Sequence, residues 1–252
     1  MCDERDAGHG GAQLACAQWK VAINANAGRY AEMDVDKHLG FYKHGNLPHL
    51  DVARAVQFIT FNLVDAVPRE QMYRNALGLG VRSGHAYALN DRQLDRGKGS
   101  CILSRPDIAS VVKNSILRRE QISHQTLAWV LMPNHVHILI KQLEGYPISR
   151  VLKQIKGSST HEIRSITGTI EPVWQIGYFD RMIRDVLQLR RTIDYIHQNP
   201  VHARLVGSAS DWPMSSYKMY DWQKLAESLM LPVEWLEETQ ADDRLATGLS
   251  RN

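Results

Sequence analysis

Apolar positions change their period along the chain, and those changes mark out the elements. Val56-Gln57-Phe58-Ile59-Thr60-Phe61-Asn62-Leu63-Val64 is rich in β-branched and aromatic residues and predicts a strand. Arg69–Leu79 predicts a helix stopped by Gly78 and Gly80. Over Pro106–Arg119 the residues Ile108, Val111, Val112, Ile116 and Leu117 recur at helical spacing, and Asp107 suits the first turn. Leu127–Ile140 reads as one long, mostly apolar strand interrupted by Pro133-Asn134. Helical spacing returns over Ile148–Ile163, through Ile148, Val151, Leu152 and Ile155. Arg181–Asn199 predicts a second long helix, ended by Pro200, which disfavours helical geometry in the residue before it. Residues 1–44 hold no sustained apolar period beyond a short helical stretch near Ala12–Ile23; they read as a leader, partly disordered. This order predicts an α+β fold with helices packed on an antiparallel sheet.

Composition narrows the class. Hydrophobic residues at 44% and charged residues at 23% are globular averages, which excludes a disordered or fibrous chain. No apolar run reaches the roughly 18 residues that a spanning helix needs, and no membrane role is expected. The start, Met1-Cys2-Asp3-Glu4-Arg5-Asp6, lacks the apolar core of a signal peptide. Cys2, Cys16 and Cys101 are widely spaced and form no CxxC pair, which fits a reducing cytoplasm better than a disulfide framework. Net charge is only +3, but its distribution is uneven. Residues 101–206 hold 14 basic and 8 acidic groups, whereas residues 207–252 hold 4 and 8. The basic middle suits a polyanionic partner, and equally a solvated basic surface.

Two segments carry candidate chemistry. In Met132-Pro133-Asn134-His135-Val136-His137 the strand period puts His135 and His137 on one face, with Val136 on the other. Two neutral imidazoles on one face are good ligands for a divalent cation. They also suit a pair of half-buried edge-strand histidines, and the pattern alone leaves both readings open. On the second long helix, Val186, Leu189, Ile193 and Ile196 form a core stripe, while Gln188, Thr192, Tyr195 and Asn199 form a polar one. Tyr195 and Asn199 sit one turn apart on the same face. A phenol beside an amide oxygen and two imidazoles could attack phosphorus at a cation site. A core tyrosine and a helix-terminal asparagine would look the same at this level.

Taken together, these blocks resemble the REP-associated tyrosine transposases, a branch of the HUH single-strand DNA endonucleases. The similarity runs over about residues 45–217, in order: Leu47-Pro48-His49 and Phe58–Leu63, then Gly97-Lys98-Gly99-Ser100-Cys101. It continues with Ala128–His137, Lys156-Gly157, Val173-Trp174-Gln175, Phe179–Arg184, Tyr195–Val201 and Asp211–Tyr217. The resemblance implies a ferredoxin-like antiparallel sheet with helices packed on it; outside it, residues 1–44 read as a leader and residues 218–252 as an acidic, helical C-terminal extension. It also implies a metal site from His135, His137 and Asn199 holding Mg2+ or Mn2+, with Tyr195 as nucleophile and both histidines catalytic. The implied reaction is cleavage and transfer of single-stranded or hairpin, REP-like DNA through a 5′-phosphotyrosine, by a monomer or homodimer. A non-cleaving DNA-binding protein and a phosphoesterase using activated water are the alternatives. Candidate DNA contacts are Lys153, Lys156, Arg181, Arg184, Arg190 and Arg191, with Thr160 beside the lysines. Trp174, Tyr178 and Phe179 suit base stacking or the core, and His197 and His202 flank the presumed site. One departure stands out: the family's Lys-Ala-Gly is His202-Ala203-Arg204 here, which puts a left-handed turn in question.

Overall fold

In the computed structural model, residues 40–44, 47–68 and 91–229 are described. The stretch near Ala12–Ile23, the helix expected over Arg69–Leu79 and the acidic residues from Glu234 to Asp243 lie outside the described residues. The elements run β1 (Gly40–His44), β2 (Leu47–Asp51), β3 (Val56–Asn62), α1 (Pro106–Leu117), β4 (His124–Leu131) and β5 (His135–Gln142). They continue with α2 (Ile148–Thr167), β6 (Phe179–Met182), α3 (Val186–His202) and α4 (Trp222–Leu229). β1 and β2 pair as a separate antiparallel hairpin.

The main sheet has the order β4-β5-β3-β6, antiparallel throughout. With α1 between β3 and β4 and α2 between β5 and β6, the chain follows the β-α-β-β-α-β path of a ferredoxin-like fold. The expected α+β class and sheet are what is found. Alternation along the strands explains how both faces are covered. Ile59, Phe61 and Leu63 of β3 and Val136, Ile138 and Ile140 of β5 join one core with Ile108, Val112, Val151 and Ile155 of α1 and α2. Val56 and Phe58, Val130 and Leu139 face the other way, into a second core closed by Leu189, Ile193 and Ile196 of α3 and by Leu225 and Leu229 of α4. The free edge of β4 is covered as well: Leu131 N donates to Met214 O and Ser216 N to Trp129 O.

Three boundaries differ from the sequence reading. Leu127–Ile140 is a hairpin of β4 and β5, because Pro133-Asn134 reverses the chain, with Met132 N donating to His135 O. The helix read from Arg181 starts at Val186; Phe179–Met182 is the edge strand β6, and Asp185 caps the helix by accepting from Gln188 N at 2.7 Å. Nor does Pro200 end that helix, which runs on to His202 with Ala203 N donating to Asn199 O. A proline so near the end removes one donor from the last turn, and the remaining bonds hold.

Candidate active site

On the α3 side of the sheet, β5 presents His135 and His137 before it presents Leu139, so the face turns polar toward the start of that strand. β3 does the same, with Phe58 followed by Thr60 and Asn62 opposite His137 and His135. The C-terminal half of α3 crosses this polar end and brings Tyr195 and Asn199 to it. His135, His137 and Asn199 are wholly buried, while Tyr195 is half-buried. The structure therefore brings together all four residues singled out from the two motifs.

Hydrogen bonds fix the imidazoles. Asn134 Nδ2 donates to Leu94 O at 3.1 Å and to Lys98 O at 3.0 Å, which leaves its Oδ1 to accept from His135 Nδ1 at 2.8 Å. The proton of His135 thus sits on Nδ1, and its Nε2 carries a lone pair. His137 Nδ1 pairs with Thr60 Oγ1 at 2.8 Å, and its ring stacks on Phe58 at 5.4 Å. When His137 donates through Nδ1, the two Nε2 lone pairs face each other across 3.1 Å. Burial holds both rings neutral, His137 at about 3 and His135 well below the usual histidine range, the latter also through His137 beside it.

This set fits a divalent cation. Two ligands at right angles, each about 2.1 Å from a common centre, lie about 3.0 Å apart, close to the 3.1 Å between the Nε2 atoms. Asn199 Nδ2 lies 3.4 Å from His137 Nε2, and its buried Oδ1 has no hydrogen-bond partner. A half-turn of the carboxamide brings that oxygen to the imidazoles. Among the described residues no three His, Cys, Asp or Glu side chains form a metal group, and the Asn199 carboxamide is the third donor this set would offer a cation.

Two carboxylates absent from the sequence reading complete the site. Tyr195 Oη donates to Asp91 Oδ2 at 2.6 Å, and Asp95 Oδ1 lies 3.8 Å from His135 Nε2. Burial lifts the Asp91 carboxyl to about 7 and that of Asp95 to about 6. Burial, with Asp91 close by, also pushes the Tyr195 phenol above its ordinary value. No sequence signal linked these acids to the motifs, since Asp91 and Tyr195 are 104 positions apart.

The residues proposed for DNA contact divide. Lys153, Arg184 and Arg191 are exposed. Lys156, by contrast, turns inward: its ammonium donates to Gln175 O and Gly177 O and lies over the Phe61 ring. Burial lowers it to about 8, and it serves the 175–177 loop instead of a phosphate. Arg181 is half-buried and donates to Thr192 Oγ1 at 3.2 Å, and Arg190 lies 3.8 Å from Asp194. Trp174, Tyr178 and Phe179 are all core residues. His197 is buried against Ser216 Oγ at 2.9 Å, whereas the His202 ring lies 6.4 Å from that of Tyr195.

Residues 106–199 match the family described as "Transposase IS200 like". Over that stretch the chain is similar to the IS200-like transposases. The matched stretch contains His135, His137, Tyr195 and Asn199 and stops at the last of them. The "REP-associated tyrosine transposase" of Escherichia coli (strain K12) is 31% identical over 109 residues, covering 43% of this chain and 60% of that protein. A "Putative REP-associated tyrosine transposase" of Haemophilus influenzae (strain ATCC 51907 / DSM 11121 / KW20 / Rd) is 28% identical over 108 residues, 39% of this chain and 61% of that protein. The chain thus spans about three fifths of the length of these curated relatives. A solved structure described as a REP-associated tyrosine transposase bound to a REP hairpin aligns at 22% identity and a TM-score of 0.46, over 68% of this chain and 81% of that one. Among the described residues, no helix is long and apolar enough to cross a membrane.

Proposed function

We propose that this protein is a single-strand DNA endonuclease and strand transferase acting on hairpin-forming repeats. Tyr195 is the nucleophile, and His135, His137 and Asn199 hold Mg2+ or Mn2+. One observation carries the reading: the two Nε2 atoms meet at 3.1 Å, with the Tyr195 ring 5.7 Å from that of His137. With both rings protonated on Nδ1, the two Nε2 lone pairs converge beside a phenol, as the ligands of one cation would. The similarity to the REP-associated tyrosine transposases supports the DNA substrate.

When bound, the cation polarises the phosphate oxygens and offsets charge in the transition state. Asn134 fixes the tautomer of His135 and Thr60 anchors Nδ1 of His137, so both rings are held in place for a cation at Nε2. Tyr195 supplies the attacking oxygen; the bond from phosphorus to the 3′ oxygen breaks, leaving a 5′-phosphotyrosine and a free 3′-hydroxyl. Attack by another 3′-hydroxyl on that intermediate transfers the strand and frees Tyr195. Of the candidate DNA contacts, Lys153, Arg184 and Arg191 are the exposed ones and the candidates that remain for meeting phosphates.

The test uses the full chain with a labelled hairpin oligonucleotide bearing an unpaired flank, with Mg2+ or Mn2+ and with chelator. The expected result is cation-dependent cleavage that leaves a 3′-hydroxyl and an SDS-resistant protein–DNA adduct. Cation-dependent cleavage with a free 5′-phosphate and no adduct would favour activated water. Binding without cleavage would favour a recognition protein, and cleavage unaffected by chelator would remove the cation.

A further inference from the structure

We propose that Asp91 is a catalytic residue, whose carboxylate holds the Tyr195 hydroxyl and accepts its proton as the phenol oxygen attacks phosphorus. The inference rests on the reading of Tyr195 as nucleophile. Its geometric basis is the 2.6 Å bond from Tyr195 Oη to Asp91 Oδ2, made by a carboxylate that is 7% exposed. The segment bearing Asp91 is fastened to the site. Asp95 N donates to Asp91 O at 2.8 Å, and Leu94 O and Lys98 O accept from the same Asn134 that orients His135. Asn134 thereby sets a metal-facing imidazole and the neighbour of the nucleophile together.

The chemistry of the pair agrees. A phenol, whose ordinary pKa is about 10, does not ionise unaided near neutrality, so its proton must leave during attack. An acceptor near 7, where burial has put Asp91, is matched to that task. Other groups facing the pair are Asp95 of the same segment, Arg181 of β6, His137 of β5, and Asn199 and His202 of α3. Among these neighbours in the described residues, it is Asp91 that accepts the hydrogen bond of the phenol. In the step, the Tyr195 O–H bond breaks and its proton passes to Asp91 Oδ2. The Tyr195 O–P bond forms, the bond from phosphorus to the 3′ oxygen breaks, and the departing oxygen takes a proton from water. In the transfer half-reaction the attacking 3′-hydroxyl gives its proton to water as its oxygen bonds phosphorus, the Tyr195 O–P bond breaks, and Asp91 returns its proton to the leaving phenolate.

The experiment measures single-turnover adduct formation on the hairpin oligonucleotide by the full chain, comparing wild type with Asp91→Asn. The amide preserves shape and can still accept from the phenol, so hairpin binding should stay within about threefold. Adduct formation should slow by about 100-fold or more. Replacing Tyr195 by 2,3,5-trifluorotyrosine, a more acidic phenol, should recover Asp91→Asn at least tenfold while changing wild type less; a residue that merely packs would show no such rescue. An Asp91→Asn rate within threefold of wild type, or above it, would overturn the proposal. If Asp91→Asn does not fold, the trifluorotyrosine protein with Asp91 intact decides: a small change supports a resident acceptor, and a rise matching the gain in phenolate contradicts it. Failure of wild type to form an adduct on Tyr195 would strike the nucleophile reading instead.

Discussion

Arg204 shows how one position keeps a turn without its favoured residue. Its φ is 58°, so the left-handed turn after α3 is retained although glycine is absent. A side chain there carries roughly 1–2 kcal/mol of steric strain. Glycine would relieve it but add about 0.5–1 kcal/mol of unfolded-state freedom. Arg204→Gly should therefore raise stability by about 0.5–1 kcal/mol, read as a higher urea midpoint at unchanged slope. A lower midpoint would mean that the arginine side chain contributes more than the strain removes. Gly99 is the opposite case, with φ 89° and a would-be Cβ 2.7 Å from Asp65 O, so no other residue fits without displacing backbone. At this scale the motif residues were legible because the strand and helix periods fix their faces. Asp91 and Asp95 were not, because a tertiary contact alone brings them to the site. Lys156 was misplaced for a related reason: helical spacing put it beside Lys153, and only packing shows its ammonium closing a loop.

At the scale of elements, α3 carries the site, and its ends determine where Tyr195 and Asn199 fall. The sequence holds the true start signal in Asp185 and Gln188: Asp185 accepts from Gln188 N, and Gln188 Oε1 accepts from Arg184 N at 2.8 Å. Apolar spacing alone extended the helix back to Arg181, since Met182 and Ile183 fit either an edge strand or a first turn. Asp185→Ala should lower stability by about 1 kcal/mol, seen as a reduced urea midpoint, with greater fraying at the N-terminal turn in hydrogen exchange. An unchanged midpoint would mean that the second core alone fixes the helix start. The β4–β5 hairpin was misread in a similar way. Two buried strands joined by a two-residue turn give a nearly continuous apolar run, and Pro133-Asn134 looks like a break within one strand.

For the whole molecule, the sheet separates two cores, and the site occupies the end of one face where apolar side chains give way to polar ones. Alternation along β3 and β5 made both the α+β class and the shared face of the histidines legible. The strand order was not, because pairing is decided between elements and not within them. Nor was the role of Trp212 and Ser216, which bind Leu131 O and Trp129 N and so secure the edge of β4. The central claim is that this framework delivers Tyr195 to phosphorus. The most direct measurement is mass mapping of the protein–DNA adduct formed on a hairpin oligonucleotide by wild type and by Tyr195→Phe. Tyr195→Phe removes one oxygen and leaves the ring against Phe58 and His137, so it should fold and bind as wild type does. The account predicts a wild-type adduct on the peptide containing Tyr195, joined to the DNA 3′ of the cut, and none in Tyr195→Phe. An adduct on another residue, or cleavage by Tyr195→Phe at the wild-type rate, would contradict it.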